Sequence, residues 1–143
     1  MTRPPCTGFC RSSSTCSGGS VRNRHNEVAS GDRTRHPEFE LARWPAAHLT
    51  PEQRTAATVY TSGEHCPMCA AAHAWVGLGR IVYVASSEQL VAWIDELGAP
   101  APPVCGLRVN EVAPGAVVEG PVPELVTEVR DLHRRFHGAR QRD

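Results

Sequence analysis

The sequence lacks a long hydrophobic run and has no excess of charge of either sign. No apolar segment among its 143 residues approaches the roughly 20 residues needed to cross a membrane. The opening residues, MTRPP, lack the apolar stretch of a secretory signal. Fifteen basic and fifteen acidic side chains balance, so the net charge gives no indication of a nucleic-acid-binding protein. We therefore expect a cytoplasmic protein of single-domain size, with no membrane partner.

The six cysteines are not spaced like a disulfide framework. Three fall within the first sixteen residues, Cys105 stands alone, and Cys66 and Cys69 form a CxxC motif. In a chain without a signal peptide, this motif indicates metal binding or redox chemistry before it indicates a structural bridge. We expect Cys105 to be a small buried residue in a loop.

Composition divides the chain into two parts. Residues 1–22 are rich in Ser, Gly, Thr and Pro, with few side chains able to pack, which predicts a disordered segment. Residues 23–143 form the predicted folded domain. There, strands alternate with helices, which favours an α/β layered fold with parallel strands.

Local signals predict the following elements. Pro45 is expected to end or kink the first helix, Thr50 to cap a helical turn, and the three tryptophans to lie in the core. The predicted helices are 36–44, 66–76, 87–98 and 123–137, and the predicted strands are 57–61, 80–85, 107–112 and 115–118.

Two short motifs carry the chemistry. His36 and Glu38 stand at the start of one predicted helix, and Cys66 and Cys69 open another directly after a strand. One imidazole and two thiolates match a catalytic zinc, which takes three protein ligands and leaves a fourth position for water. Glu38, two residues past the histidine, can take a proton from that water and pass it to a leaving amine. This is the arrangement of hydrolytic deamination.

These residues match the H-x-E and C-x-x-C signature of zinc deaminases. The stretch from about Asn23 to Ala85 resembles the cytidine-deaminase-like superfamily, in particular its guanine, cytosine, nucleoside and tRNA-adenosine deaminase branch. The resemblance implies a three-layer α/β/α fold with a mixed sheet between helices. It implies a homodimer, because members of the family are mostly dimeric or larger. It also implies Zn²⁺ at His36, Cys66 and Cys69. An asparagine before the histidine commonly holds the substrate in this family, so Asn23 is the first candidate and Asn26 the second.

Three features depart from the family pattern. Pro37 replaces a small residue whose backbone N–H often contacts the substrate ring, and proline has no N–H. His65 replaces the usual proline before the first cysteine, and we expect it to be an exposed loop residue that lines the pocket. We expect Ser62 to line the pocket as well, because it lies at the end of the strand that enters the site. Residues 1–22 cannot supply the family's first helix and hairpin, and we hypothesise that a reading-frame or start-site error has replaced them.

Three alternatives to a deaminase of a free base or nucleoside stay open. The CPxC sequence at Cys66 also resembles a glutaredoxin-like dithiol, although His36 and Glu38 would then be coincidental. Arginines near the C-terminus (130, 134, 135, 140 and 142) invite a tRNA adenosine deaminase, but a solvated helix end explains them as well. A chain without the first helix and hairpin could also be an inactive fold remnant. We expect His73 to pack on its helix rather than to bind the metal.

Overall fold

The structure is a computed structural model, and it describes residues 26–140, without the side chain of the last of these. The predictions for residues 1–22 and for Asn23 lie outside the described residues. Within the described range, no helix combines the length and apolar character needed to cross a membrane. After a short 3-10 turn at Val28–Ser30, the elements are α1 (Pro37–His48), α2 (Pro51–Ala56), β1 (Thr58–Gly63), α3 (Pro67–Val76), β2 (Arg80–Ala85), α4 (Ser87–Glu96), α5 (Val109–Val112), β3 (Val118–Glu119) and α6 (Pro123–Arg140).

The described strands form a parallel sheet in the order β1-β2-β3. Val59 is in register with Ile81, which is in register with Val118 on the other side. Parallel neighbours require a crossover, and α3 supplies it between β1 and β2, while α4 and α5 lie between β2 and β3. The carboxyl end of β1 therefore leads within three residues into α3, and the two CxxC cysteines lie immediately before this helix and in its first turn.

Helices cover both faces of the sheet. On one face, Ile81 of β2 packs with Ala70 of α3 and Val109 of α5. On the other face, Val84 packs with Trp93 of α4 and Val129 of α6. Neighbouring residues of a strand point to opposite faces, so β2 is buried on both sides, as its continuous apolar run predicts. The α/β/α architecture expected from the sequence is confirmed.

Glycine at position 79 allows close packing between α2 and the turn into β2. The Gly79 N–H donates to the carbonyl of Arg54 at 3.0 Å. A Cβ at this position would overlap the carbonyl oxygens of Thr55 and Ala57. Thr50 caps α2 as predicted, because its side chain accepts the backbone N–H of Gln53.

Three local expectations are wrong, and a fourth is wrong in part. Helix α1 does not end at Pro45 but continues through this buried proline to His48, since tertiary packing outweighs the missing backbone donor. The predicted strand 107–112 is instead loop followed by α5, and only two residues near 115–118 join the sheet. Trp75 is 91% exposed rather than in the core, although Trp93 is buried and Trp44 half-buried. Cys105 is exposed, in the long connection before α5.

Candidate metal centre

Helices α1 and α3 begin at the same place in the molecule and pack against each other. His36 is the residue immediately before α1, Cys66 is the residue immediately before α3, and both are extended. A proline follows each of them as the first helical residue, where its fixed φ suits the helix and its missing N–H costs no hydrogen bond. Cys69 lies in the first turn of α3 and is fully buried.

Three potential ligand atoms converge here from residues far apart in sequence. Nδ1 of His36 is 3.5 Å from Sγ of Cys66 and 3.7 Å from Sγ of Cys69, and the two sulfur atoms are 3.5 Å apart. Zinc–sulfur bonds of about 2.3 Å and zinc–nitrogen bonds of about 2.0 Å in a tetrahedron place such atoms about 3.5–3.8 Å apart. The geometry and the donor set therefore fit zinc. Within residues 26–140, His36, Cys66 and Cys69 form the group of at least three His, Cys, Asp or Glu side chains whose ligand atoms lie close enough to hold one metal ion.

Hydrogen bonding makes the two cysteines unequal. The hydrogen bond with Cys69 lowers the pKa of Cys66 to about 4, and the hydrogen bond with His36 acts in the same direction. The same sulfur–sulfur hydrogen bond, together with burial, raises the pKa of Cys69. The pKa of His36 is raised, mainly by its hydrogen bond with Cys66, and a hydrogen bond to the backbone of Arg33 adds to this. A backbone partner of this kind orients a ligand imidazole.

Glu38 lies in the first turn of α1 and is half-buried. Its negative charge raises the pKa of both His36 and Cys69, two of the three ligands. Glu38 is therefore close enough to influence protons at this centre.

Glu64 is a site residue that the sequence reasoning missed. It lies between β1 and Cys66, and its carboxylate accepts the backbone N–H of Ser87 at 2.8 Å and of Val109 at 2.9 Å. These partners are 23 and 45 residues away, so no local pattern could have revealed them. The only available signal was an acidic residue directly between a strand and a metal motif.

His65 is 1% exposed, so the expectation of an exposed imidazole beside the pocket is wrong. Burial lowers its pKa to about 3, so the ring is neutral, and neither ring nitrogen has a hydrogen-bond partner within the described residues. The ring meets that of His73 edge-on, with centroids 5.4 Å apart. His73 lies on α3 and hydrogen-bonds the carbonyl of Gly79 through Nε2 at 2.8 Å. It therefore has a packing partner and a polar partner away from the three ligands.

The remaining candidates for substrate contact occupy different positions. Pro37 is buried as the first residue of α1, and Ser62 is half-buried near the end of β1. Asn26 is exposed, and its side-chain oxygen accepts the N–H of Val28 at 3.0 Å. Two surface cavities of about 560 and 540 Å³ lie along α4 and along α3, and neither is lined by the three ligands. The structure therefore assigns no substrate contact to Pro37, Ser62, Asn26 or His65, and these roles stay predictions.

Comparison with known proteins gives a similarity to a curated deaminase. No family model matches the chain. The chain is 33% identical over 84 residues to a protein of Schizosaccharomyces pombe named "Probable cytosine deaminase". That match covers 57% of this chain and 49% of the relative, so the chain spans about half the length of the curated relative it matches. The similarity and the His-Cys-Cys group together support a relationship to deaminases.

Proposed function

We propose that this chain is a zinc-dependent hydrolytic deaminase that removes the exocyclic amine of a nucleobase or nucleoside as ammonia. The observation that carries the proposal is the convergence of His36, Cys66 and Cys69, whose ligand atoms all lie within 4.8 Å of one another. Two independent helices bring these atoms together, with Glu38 on the same turn as the histidine. The similarity to a probable cytosine deaminase points to the same reaction class.

The proposed reaction replaces the amine of a ring carbon with an oxygen from water. A bound zinc ion would supply a nucleophilic water at neutral pH by lowering the pKa of that water. His36, Cys66 and Cys69 would hold the ion, and the unequal proton affinities of the two cysteines mean that Cys69 gives up its proton when the metal binds.

Glu38 would move the protons. Its carboxylate would take a proton from the attacking water and pass it to the ring nitrogen beside the carbon under attack. It would then move the remaining hydroxyl proton to the departing amine, so that ammonia leaves and the ring carbon becomes a carbonyl. The start of α1 favours the negative charge that this side chain carries before it takes up each proton. Pro37 cannot donate a backbone hydrogen bond to the substrate, so recognition of the ring must come from other groups.

Cytosine is the first substrate to test, because of the name of the fission yeast relative. Guanine and the corresponding nucleosides follow from the resemblance in sequence. A tRNA substrate is less favoured, because Arg130 and Arg134 of α6 already pair with Glu96 and Asp131. Their charges are therefore partly neutralised within the protein. Reduced cysteine ligands would also require a reducing compartment such as the cytoplasm.

The second candidate function is dithiol redox chemistry. The observation that favours it is the 3.5 Å approach of Cys66 and Cys69 at the start of α3. It gives no role to His36, whose ring nitrogen faces both sulfur atoms. The two functions differ in what the purified protein contains.

Elemental analysis of the purified chain, beside a Cys66→Ser/Cys69→Ser variant, tests the proposal. We expect about one zinc per chain, lost in the variant, and release of ammonia from at least one base or nucleoside. A folded chain that contains no zinc and has a reversible dithiol would instead support redox chemistry. Inosine formed in a tRNA anticodon, without turnover of free bases or nucleosides, would support the tRNA alternative.

We also propose that two copies of the chain associate through a surface that we call the Trp75 face. It consists of Ala71, Ala74 and Trp75 on α3, together with Pro114 and Ala116 between α5 and β3. A cavity of about 540 Å³ opens between these two segments. None of the residues lining it carries a charge at neutral pH, since burial lowers the pKa of His73.

The Trp75 face fits a second copy better than a charged partner. A protruding tryptophan and an apolar cavity lie on the same surface, so a two-fold rotation could place the tryptophan of each copy against the cavity of the other. Uncharged walls offer no complement to a charged ligand or partner. Exposed tryptophans of this kind commonly carry much of the energy of an interface.

A further inference from the structure

We infer that Glu64 is a positioning residue that fixes the Cys66 ligand by tying its loop to two helices. This inference rests on the proposed function, because it concerns the geometry of the zinc ligands. The catalytic scheme and the resemblance in sequence give Glu64 no role. Its contacts with α4 and α5 carry the argument.

The carboxylate of Glu64 satisfies two backbone donors at once. Ser87 and Val109 are the first residues of α4 and α5, and the N–H groups of a first helical turn have no partner within the helix. One oxygen of Glu64 accepts from Ser87 and the other from Val109. Both donor residues are buried, so water cannot readily replace the carboxylate. The side chain is therefore held at both oxygens.

The backbone of Glu64 is held as well. Its N–H donates to the carbonyl of Ala85 at 2.8 Å, which extends the pairing of β1 with β2 by one residue. Only His65 and Cys66 separate this anchored residue from Pro67, the first residue of α3. Since His65 is also buried, the span that carries the Cys66 sulfur is fixed at both ends.

The junction that Glu64 joins is itself tied together. Glu88 of α4 forms an ion pair with Arg108, which directly precedes α5. Ser87 Oγ also approaches the carbonyl of Leu107, at 3.4 Å. Without Glu64, α4 and α5 would remain linked to each other, but the loop before Cys66 would lose its side-chain link to both. The sulfur of Cys66 would then sample a wider range of positions around the metal.

The test compares Glu64→Ala and Glu64→Gln with Glu88→Gln as the matched control. Glu88→Gln weakens the exposed ion pair of the same junction and leaves the Cys66 loop in place. Each full-length chain is loaded with zinc, and the rate of zinc release to a chromogenic chelator is measured. The absorption spectrum of the cobalt-substituted chain, which reports ligand geometry, is recorded beside it.

We expect Glu64→Ala to release zinc about tenfold or more faster than the unaltered chain, in the range found when groups supporting a metal ligand are removed. Glu64→Gln keeps one acceptor oxygen, so its rate of zinc release should lie between those of Glu64→Ala and the unaltered chain. Its cobalt spectrum should differ from that of the unaltered chain. Glu88→Gln should release zinc at the unaltered rate. If Glu64→Ala does not fold, Glu64→Gln alone decides the question.

Two outcomes overturn the inference, and they are distinguishable. If Glu64→Gln lowers the melting temperature of the metal-free chain but leaves zinc release and the cobalt spectrum unchanged, Glu64 has a structural role only. The proposed function would then stand. If the unaltered chain binds no zinc, the proposed function fails, and the inference fails with it.

Discussion

At the scale of single residues, the centre depends on side chains with different tasks at the start of α1. His36 contributes a nitrogen that faces both sulfur atoms, and Glu38, one position beyond Pro37, contributes charge. The two tasks fall to separate positions, because His36 lies before α1 with an extended backbone and Glu38 lies in the first turn of the helix. Substitution of Glu38 should therefore affect proton transfer without removing a ligand.

We predict that Glu38→Gln lowers kcat at least about 100-fold while the chain keeps its zinc, because the amide cannot accept and return a proton. Ammonia release and metal content are measured on the same preparation. Glu40→Gln is the matched control, since Glu40 lies in the same helical turn and faces Arg43 at 3.6 Å. Equal loss of activity in the two variants, or loss of zinc from Glu38→Gln, would contradict the assigned role.

Much of this centre could be predicted from local sequence. His36, Glu38, Cys66 and Cys69 lie within short motifs at helix starts, and the structure brings the three predicted ligands together. Glu64 could not be predicted, because its partners come from α4 and α5. The burial of His65 also escaped prediction, since an imidazole next to a cysteine gives no local sign of the helix that covers it.

At the scale of elements, the two helices that carry the ligands are joined at their far ends by Arg54 of α2. Its guanidinium donates to the carbonyls of Ala46 and Leu49 at the end of α1, at 3.2 and 3.0 Å. It also donates to Val76, the last residue of α3, at 3.4 Å. A cation suits these positions because the carbonyl ends of helices are negative. Arg54 therefore helps to hold α1 and α3 side by side.

We predict that Arg54→Met lowers the free energy of unfolding by about 1–3 kcal/mol, because half-buried carbonyls lose their donor. Urea denaturation of the metal-free chain measures this change. Arg43→Met is the control, since the Arg43 side chain is exposed and, among the residues that the structure describes, pairs with Glu40 in a long i,i+3 contact. Equal destabilisation by the two substitutions would show that Arg54 does not link the helices.

The elements that sequence predicted best are those whose pattern is local. β1, α3, β2, α4 and α6 were predicted near their observed bounds, because caps, apolar runs and periodic stripes lie within each segment. The segment 107–112 was predicted as a strand from its apolar residues. It forms α5 because Glu64 satisfies the N–H of Val109 and Glu111 accepts that of Arg108. Glu64 lies 45 residues before Val109, so nothing in the sequence near Val109 indicates this hydrogen bond.

At the scale of the whole molecule, the buried His73 and the half-buried His133 connect stability to pH. Burial lowers the pKa of His73 and of His133, and the neighbouring His137 lowers that of His133 further. An unfolded histidine has a pKa of about 6.5. Below that value the unfolded chain binds protons that the folded chain does not, so stability present above about pH 6.5 is lost as the pH falls.

We predict that the urea midpoint of the metal-free chain decreases steadily from pH 7 to pH 5, and that His133→Phe makes this decrease smaller. Phenylalanine keeps an aromatic ring against Trp93, whose centroid lies 5.9 Å from that of His133, and it has no proton to bind. His48→Phe is the control, because His48 is exposed at the end of α1. An unchanged pH dependence in His133→Phe would rule out a contribution from this residue.

Association of two copies is the last property that the whole molecule determines, since no single element shows it. α3 begins directly after the ligand Cys66, carries the ligand Cys69 in its first turn and Trp75 in its last, so the centre and the Trp75 face share one helix. We predict that Trp75→Glu converts a dimer into a monomer, because a carboxylate cannot be buried against the uncharged cavity without a partner. Molar mass is measured by light scattering during size-exclusion chromatography.

Val104→Glu, at a residue 53% exposed in the connection before α5, should remain dimeric. A Trp75→Glu variant with the mass of the unaltered chain would remove the Trp75 face as the interface, and a retained cobalt spectrum in the monomer would show that the metal centre forms within one chain.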